Sequence, residues 1–105
     1  MDKDEAIKIA RKYVESISKK YEIEKAILFG SFAKGTNHPD SDIDIAIVFK
    51  NEEDIFDLQI KLMQLRTDDD LQIEPHPFKN SDFHISNPIV AEIKKNGIEI
   101  INHAA

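Results

Sequence analysis

The chain has 105 residues, a net charge of −6, 41% hydrophobic residues and no cysteine. This length suits one compact domain, so we expect a single domain over residues 1–105. The lack of cysteine excludes disulfides and thiolate metal sites, and the acidic charge argues against direct nucleic-acid binding because it repels the phosphate backbone.

The N-terminal segment predicts an amphipathic helix over residues 3 to 20. Its first turn is acidic, and Lys19 and Lys20 lie at its end, as the helix dipole favours. An apolar stripe at helical spacing predicts the buried face: Ala6, Ala10, Tyr13, Val14, Ile17 and Tyr21. The segment lacks the basic start of a secretory signal, and no apolar run approaches the roughly 20 residues of a membrane span. Together with the lack of cysteine, this predicts a cytoplasmic protein without membrane contact.

A strand predicted over residues 25 to 29 runs directly into Gly30 and Ser31. Glycine lets the chain turn without a side chain obstructing the approach of a ligand. The following residues can start a short helix, so backbone N–H groups and the Ser31 hydroxyl would point at an incoming phosphate. The loop over residues 36 to 40 is rich in turn formers, and we expect it to lie over this site.

Asp42 and Asp44 stand two residues apart in an alternating segment that predicts a strand over residues 42 to 49. Both carboxylates should project from one sheet face and the isoleucines Ile43, Ile45 and Ile47 from the other. Two like charges so close repel each other unless a cation lies between them. Magnesium takes one or two carboxylates and fills its remaining positions with water and phosphate oxygens, so the pattern predicts a magnesium site.

A second helix is predicted over residues 53 to 66. Its apolar residues are numerous, and we expect all of them in the core: Ile55, Phe56, Leu58, Ile60, Leu62, Met63 and Leu65. A strand follows over residues 71 to 76, with Leu71 and Ile73 on one face. Pro75 and Pro77 cannot donate ladder hydrogen bonds, so this strand should end or edge the sheet.

The last helix carries clear signals at both ends. Asn87 is the expected N-cap, Pro88 the first helical residue, and Gly97 lies past the end. Three residues should point inward: Ile89, Val90 and Ile93. Residues 98 to 101 are expected to close the fold as a short strand.

The segment from residue 30 to residue 44 reads Gly-Ser-x-Ala-x-Gly, a short loop, then Ser-Asp-x-Asp. In this pattern the chain resembles the nucleotidyltransferase superfamily that includes DNA polymerase β, and within it the minimal nucleotidyltransferase (MNT) branch. The resemblance implies an α+β, α/β-like nucleotidyltransferase fold, with a mixed sheet of three or four strands packed against three or four helices. It also implies nucleotide binding by Gly30, Ser31, Gly35 and Ser41, with Asp42 and Asp44 as catalytic metal ligands.

Related enzymes complete the metal pair with an acid on a neighbouring strand, and Glu74 is the candidate here. Gln72 and Glu74 share one strand face, which would turn Glu74 toward the aspartates if the two strands are neighbours. Asp70 lies on the same alternation, so another register would present it instead. His76 is a further competitor as a base or nucleobase contact, although a histidine between two prolines more often belongs to a loop.

The resemblance implies transfer of AMP from ATP, with two Mg²⁺ ions, to an acceptor hydroxyl. MNT proteins of this size resemble antitoxins whose partner is an all-helical HEPN ribonuclease toxin, and the implied acceptor is a tyrosine of that toxin. Two alternatives stay open. The domain could neutralise a helical partner by contact alone, or it could modify a small molecule of the antibiotic type.

Overall fold

The computed structural model describes residues 1–51 and 54–103. Its strands form one mixed sheet in the order β3-β2-β1-β4: β1 (Ile23–Phe29), β2 (Ile43–Phe49), β3 (Ile73–Lys79) and β4 (Ile98–Asn102). Strand β1 runs antiparallel to β2 and β4, whereas β2 and β3 are parallel. Among the described residues four helices accompany the sheet: α1 (Lys3–Ser18), α2 (Ser31–Lys34), α3 (Ile55–Gln64) and α4 (Pro88–Asn96). The expected α+β architecture, a mixed sheet of four strands with helices packed against it, is confirmed.

Helix α1 begins at its N-cap Asp2, whose carboxylate accepts a hydrogen bond from the backbone N–H of Glu5 at 2.8 Å. Five of the six predicted stripe residues are buried: Ala6, Ala10, Tyr13, Val14 and Ile17. The helix ends at Ser18, two residues earlier than predicted, so Lys19 and Lys20 lie beyond it. No helix within residues 1–51 and 54–103 has the length and apolar character needed to cross a bilayer.

The two faces of β2 pack against different layers. Ile43, Ile45 and Ile47 belong to the larger core with α1 and α3. Ala46 and Val48 face the other way and pack with Val90 and Ile93 of α4. The predicted alternation is therefore confirmed for the strand, and Asp44 lies on the α4 side of the sheet. Asp42 precedes the strand instead of belonging to it, and it is exposed.

Helix α3 buries only part of the apolar face predicted for it. Leu58 and Leu62 are buried, but three other apolar residues are 86%, 59% and 41% exposed: Phe56, Ile60 and Met63. At about 100° per residue these three lie on the side of the helix opposite to Leu58 and Leu62, which a single sheet cannot cover. Their placement in the core was wrong. Residue 53, the predicted helix start, lies outside the described residues.

Strand β3 forms an edge of the sheet, as the prolines indicated, yet it continues through both of them. The outward-facing carbonyl oxygens of Ile73 and Pro75 accept hydrogen bonds from Arg66 at 3.1 Å and Gln59 at 2.9 Å. In a strand the N–H and C=O groups of one residue point to the same side, and residues two apart point the same way. The N–H groups that Pro75 and Pro77 lack would therefore have faced the open edge. Leu71, predicted as the first residue of this strand on the same face as Ile73, lies before it and is 58% exposed, whereas Ile73 is buried.

Helix α4 has the predicted ends. The Asn87 side chain accepts from the backbone N–H of Ile89 at 3.0 Å, Pro88 occupies the first turn, and Gly97 caps the C-terminus. Val90 and Ile93 point inward as expected, whereas Ile89 is 44% exposed, so its predicted inward position was wrong. The predicted final strand is observed as β4.

Candidate active site

The candidate site forms where β1 ends and the parallel strands β2 and β3 begin. The register pairs Asp44 with Phe29 on one side and with Glu74 on the other. Adjacent strands lie about 4.8 Å apart, so the Asp44 and Glu74 carboxylates emerge next to each other. The neighbouring-strand arrangement on which the choice of Glu74 depended is thus present.

Gly30 and Asp44 meet at the end of β1. Gly30 has φ 76° and ψ −150°, a combination that is essentially restricted to glycine. A Cβ atom there would overlap Asp44 Oδ2 and lie 3.3 Å from Asp44 Cγ. The turn therefore needs glycine both for its backbone angles and for the space that Asp44 fills. Ser31 follows as the first residue of α2 and is half-buried.

Gly35 and Ser41, the other predicted nucleotide-binding residues, shape the connection between α2 and β2. Gly35 caps α2 in the left-handed conformation, with φ 77°, and its surroundings are open. Ser41 is buried, and its Oγ accepts a hydrogen bond from the backbone N–H of His38 at 2.9 Å. That bond closes the loop directly before Asp42. Contact of either residue with a nucleotide stays a prediction.

Glu74 lies among like charges. Desolvation raises the pKa of the Glu74 carboxyl above its usual value, the nearby His76 imidazole opposes this, and the charges of Asp44 and Asp42 raise it further. Hydrogen bonding of the protonated Glu74 carboxyl to the Asp42 side chain also favours a higher pKa of Glu74. Although Asp42 precedes the strand, its carboxylate thus approaches the same place as Asp44 and Glu74.

The two competitors of Glu74 have different positions. Asp70 lies in the connection before β3, where its carboxylate accepts a hydrogen bond from the backbone N–H of Thr67. His76 lies within β3, not in a loop, and its Nε2 is 3.1 Å from Asp44 Oδ1 and 4.0 Å from Glu74 Oε1. The interpretation of His76 as a loop residue was wrong. It shares the two-residue alternation of Glu74, a signal that the flanking prolines obscured.

The chemistry of the site fits a divalent cation. One ligand atom each from Asp44, Glu74 and His76 lie within 4.8 Å of one another, and the Asp42 carboxylate is close to Glu74. Carboxylate oxygens are the ligands that Mg²⁺ prefers. The half-exposed positions of Asp44 and Glu74, 23% and 50% accessible in their side chains, leave room for further ligands from solvent or substrate.

Comparison with known proteins places this geometry in a family. The family model described as polymerase beta, nucleotidyltransferase matches residues 11–104. No curated protein sequence matches the chain. A protein from Sulfolobus solfataricus, provisionally described as a nucleotidyltransferase, has a similar structure, with TM-score 0.68 and 22% identity over 92% of this chain and 80% of its own.

Two toxin–antitoxin crystal structures also share the fold. One contains AMP-PNP and matches with TM-score 0.61 and 20% identity over 88% of this chain and 73% of its own. The other is a variant of the pair MntA–HpeT with two aspartate-to-glutamate substitutions, and it matches with TM-score 0.53 and 19% identity over 97% of this chain and 74% of its own. The fold and the family match agree, and the chain belongs to the polymerase beta nucleotidyltransferase family.

Proposed function

We propose that this domain transfers AMP from ATP to a tyrosine hydroxyl of a helical HEPN-type ribonuclease toxin and so acts as its antitoxin. The observation that carries the proposal is the convergence of the Gly30 turn, Asp44 and Glu74 at one end of the sheet. A glycine turn suits phosphate oxygens, and neighbouring carboxylates suit the metal ions that accompany them.

Asp42, Asp44 and Glu74 would hold Mg²⁺, with two ions expected. Bound there, the metal would neutralise phosphate charge and orient the triphosphate. The N–H groups of the turn at Gly30 and Ser31 would receive the β and γ phosphates. Asp44 leaves no space for a side chain at position 30, so none obstructs the approach of the phosphates.

The reaction then needs little from the protein beyond positioning and one proton acceptor. The acceptor oxygen attacks the α phosphorus, a new P–O bond forms, and the bond from the α phosphorus to the bridging oxygen breaks. Pyrophosphate leaves, and the AMP group stays on the acceptor. Glu74 is suited to take the hydroxyl proton, since its carboxylate lies beside Asp44 at the end of the sheet where the acceptor would approach.

Three observations support a protein acceptor. Solved structures with this fold include toxin–antitoxin pairs, one of them with AMP-PNP. In addition, α3 exposes Phe56, Ile60 and Met63 on one side, the type of surface that a protein partner covers. The net charge of −6 favours a protein over a nucleic-acid acceptor.

Intact mass measurement of the partner tests the proposal. The helical protein that copurifies with this chain is incubated with ATP, Mg²⁺ and the chain, and we expect a gain of one or more AMP units. The double variant Asp42→Asn with Asp44→Asn should abolish the gain, whereas Asp82→Asn, which removes an exposed acid beyond the far end of β3, should not.

Two results would favour the alternatives. Inhibition of the partner that survives the double aspartate variant supports neutralisation by contact alone. Transfer of AMP to an aminoglycoside but to no copurifying protein supports a small-molecule acceptor.

A further inference from the structure

We propose that His76 is a direct metal ligand, so that the site of the proposed transferase includes a nitrogen donor and binds a transition-metal dication, probed as Mn²⁺, more tightly than Mg²⁺. The inference rests on the proposed function only in placing the metal at the same site. It concerns which ligands hold the ion and which ion they select.

The distances at His76 fit ligands of one ion. With metal–ligand bonds of about 2.1 Å, neighbouring ligand atoms of an octahedral ion lie about 3.0 Å apart and opposite ones about 4.2 Å. His76 Nε2 lies 3.1 Å from Asp44 Oδ1 and 4.0 Å from Glu74 Oε1. An ion placed among these three atoms would need only small shifts of the side chains.

The imidazole is also held in the required orientation. Its ring meets the ring of Phe29 edge-on, with centroids 5.0 Å apart and an interplanar angle of 62°. Phe29 is buried and pairs with Asp44 across the sheet. The same pair of strands, β1 and β2, therefore positions both the Asp44 carboxylate and the ring that contacts His76. His76 itself is 28% accessible in its side chain, which leaves it open toward the acids.

Ligand chemistry then sets the preference for the ion. Carboxylate and phosphate oxygens suit Mg²⁺, whereas an imidazole nitrogen favours transition metals. Two carboxylates and one imidazole form a mixed set that Mn²⁺ accepts readily. A histidine that only oriented Asp44 through a hydrogen bond would instead influence the binding of Mg²⁺ and Mn²⁺ alike.

Electron spin-echo spectroscopy of Mn²⁺ added to the full chain tests the inference without an activity assay. We expect modulation from a directly coordinated ¹⁴N nucleus in the unmodified protein, its loss in His76→Gln, and its retention in His84→Gln, which changes an exposed histidine. Calorimetric titration should show Mn²⁺ affinity falling by about 10-fold or more in His76→Gln, with a much smaller change for Mg²⁺.

The outcomes separate this inference from the proposed function. Bound Mn²⁺ without nitrogen modulation in the unmodified protein overturns the role of His76 and leaves the transferase proposal standing. An equal loss of Mg²⁺ and Mn²⁺ affinity in His76→Gln, with the protein still folded by circular dichroism, also overturns it and makes His76 a positioning residue. Nitrogen modulation without AMP transfer supports the ligand role and counts against the transferase proposal.

Discussion

Asp44 occupies the space where any side chain at position 30 would lie. The contact joins the end of β1 to the start of β2, so the turn proposed to bind phosphate and the acid proposed to bind metal depend on each other. A change at either position should alter both.

Gly30→Ala should therefore reduce stability and impair ATP binding. Its backbone angles strain any other residue by roughly 1–3 kcal/mol, and the new methyl group would also displace Asp44. Gly35→Ala offers the matched comparison, because Gly35 has a similar φ but open surroundings. Urea unfolding should show a larger loss of unfolding free energy for Gly30→Ala than for Gly35→Ala. Equal losses in the two variants would contradict the close contact between position 30 and Asp44.

Tyr13→Phe should destabilise the domain by about 1 kcal/mol. The Tyr13 hydroxyl is buried and donates a 2.6 Å hydrogen bond to the carbonyl oxygen of Leu62 in the last turn of α3. Tyr21→Phe is the control, because Tyr21 is only half-buried and its ring contact with Phe49 survives the change. Chemical denaturation of both variants measures their unfolding free energies. A larger loss of stability in Tyr21→Phe than in Tyr13→Phe would contradict a stabilising role of the Tyr13 hydrogen bond.

The same tyrosine predicts a pH dependence. Burial raises the pKa of Tyr13 far above its usual value, so the folded state resists losing a proton that the unfolded chain loses near pH 10. The stability that depends on the protonated hydroxyl is fully present below about pH 10 and declines above it. Unfolding free energies measured from pH 8 to pH 11 should fall more steeply for the unmodified protein than for Tyr13→Phe. Parallel slopes would contradict this.

Glu74→Gln should slow AMP transfer by about 10²- to 10⁴-fold, the usual contribution of a positioned proton acceptor. The change keeps the size of the side chain, so the fold should persist. Asp70→Asn removes a negative charge from the competing position and should leave most of the activity, because Asp70 accepts a hydrogen bond from Thr67 and lies before β3. Single-turnover rates decide between them, and the reverse order of effects would make Asp70 the third acid.

The parts of the fold that local signals determine could be predicted. The Gly30 turn, the alternation around Asp44 and the ends of α4 each depend on residues close together in the sequence. The α3 prediction failed because apolar residues lie on both sides of that helix, and periodicity alone does not say which side a sheet covers. Phe56 illustrates this, since it is 86% exposed.

His76 shows the same limit at the site. Its contact with Asp44 depends on the parallel register of β2 and β3, which pairs Ala46 with His76 and Asp44 with Glu74. Nothing local to either strand determines that register. The prolines around His76 suggested a loop, whereas an edge strand accommodates them because their missing N–H groups would face away from β2.

Calorimetric titration of ATP into the chain, with Mg²⁺ and the copurifying partner present, tests most directly whether the turn and the acids form one pocket. We expect measurable ATP binding to the unmodified protein, loss of binding in the double variant Asp42→Asn with Asp44→Asn, and normal binding in Asp82→Asn. Absence of ATP binding to the unmodified protein, or unchanged binding in the double aspartate variant, would contradict the account.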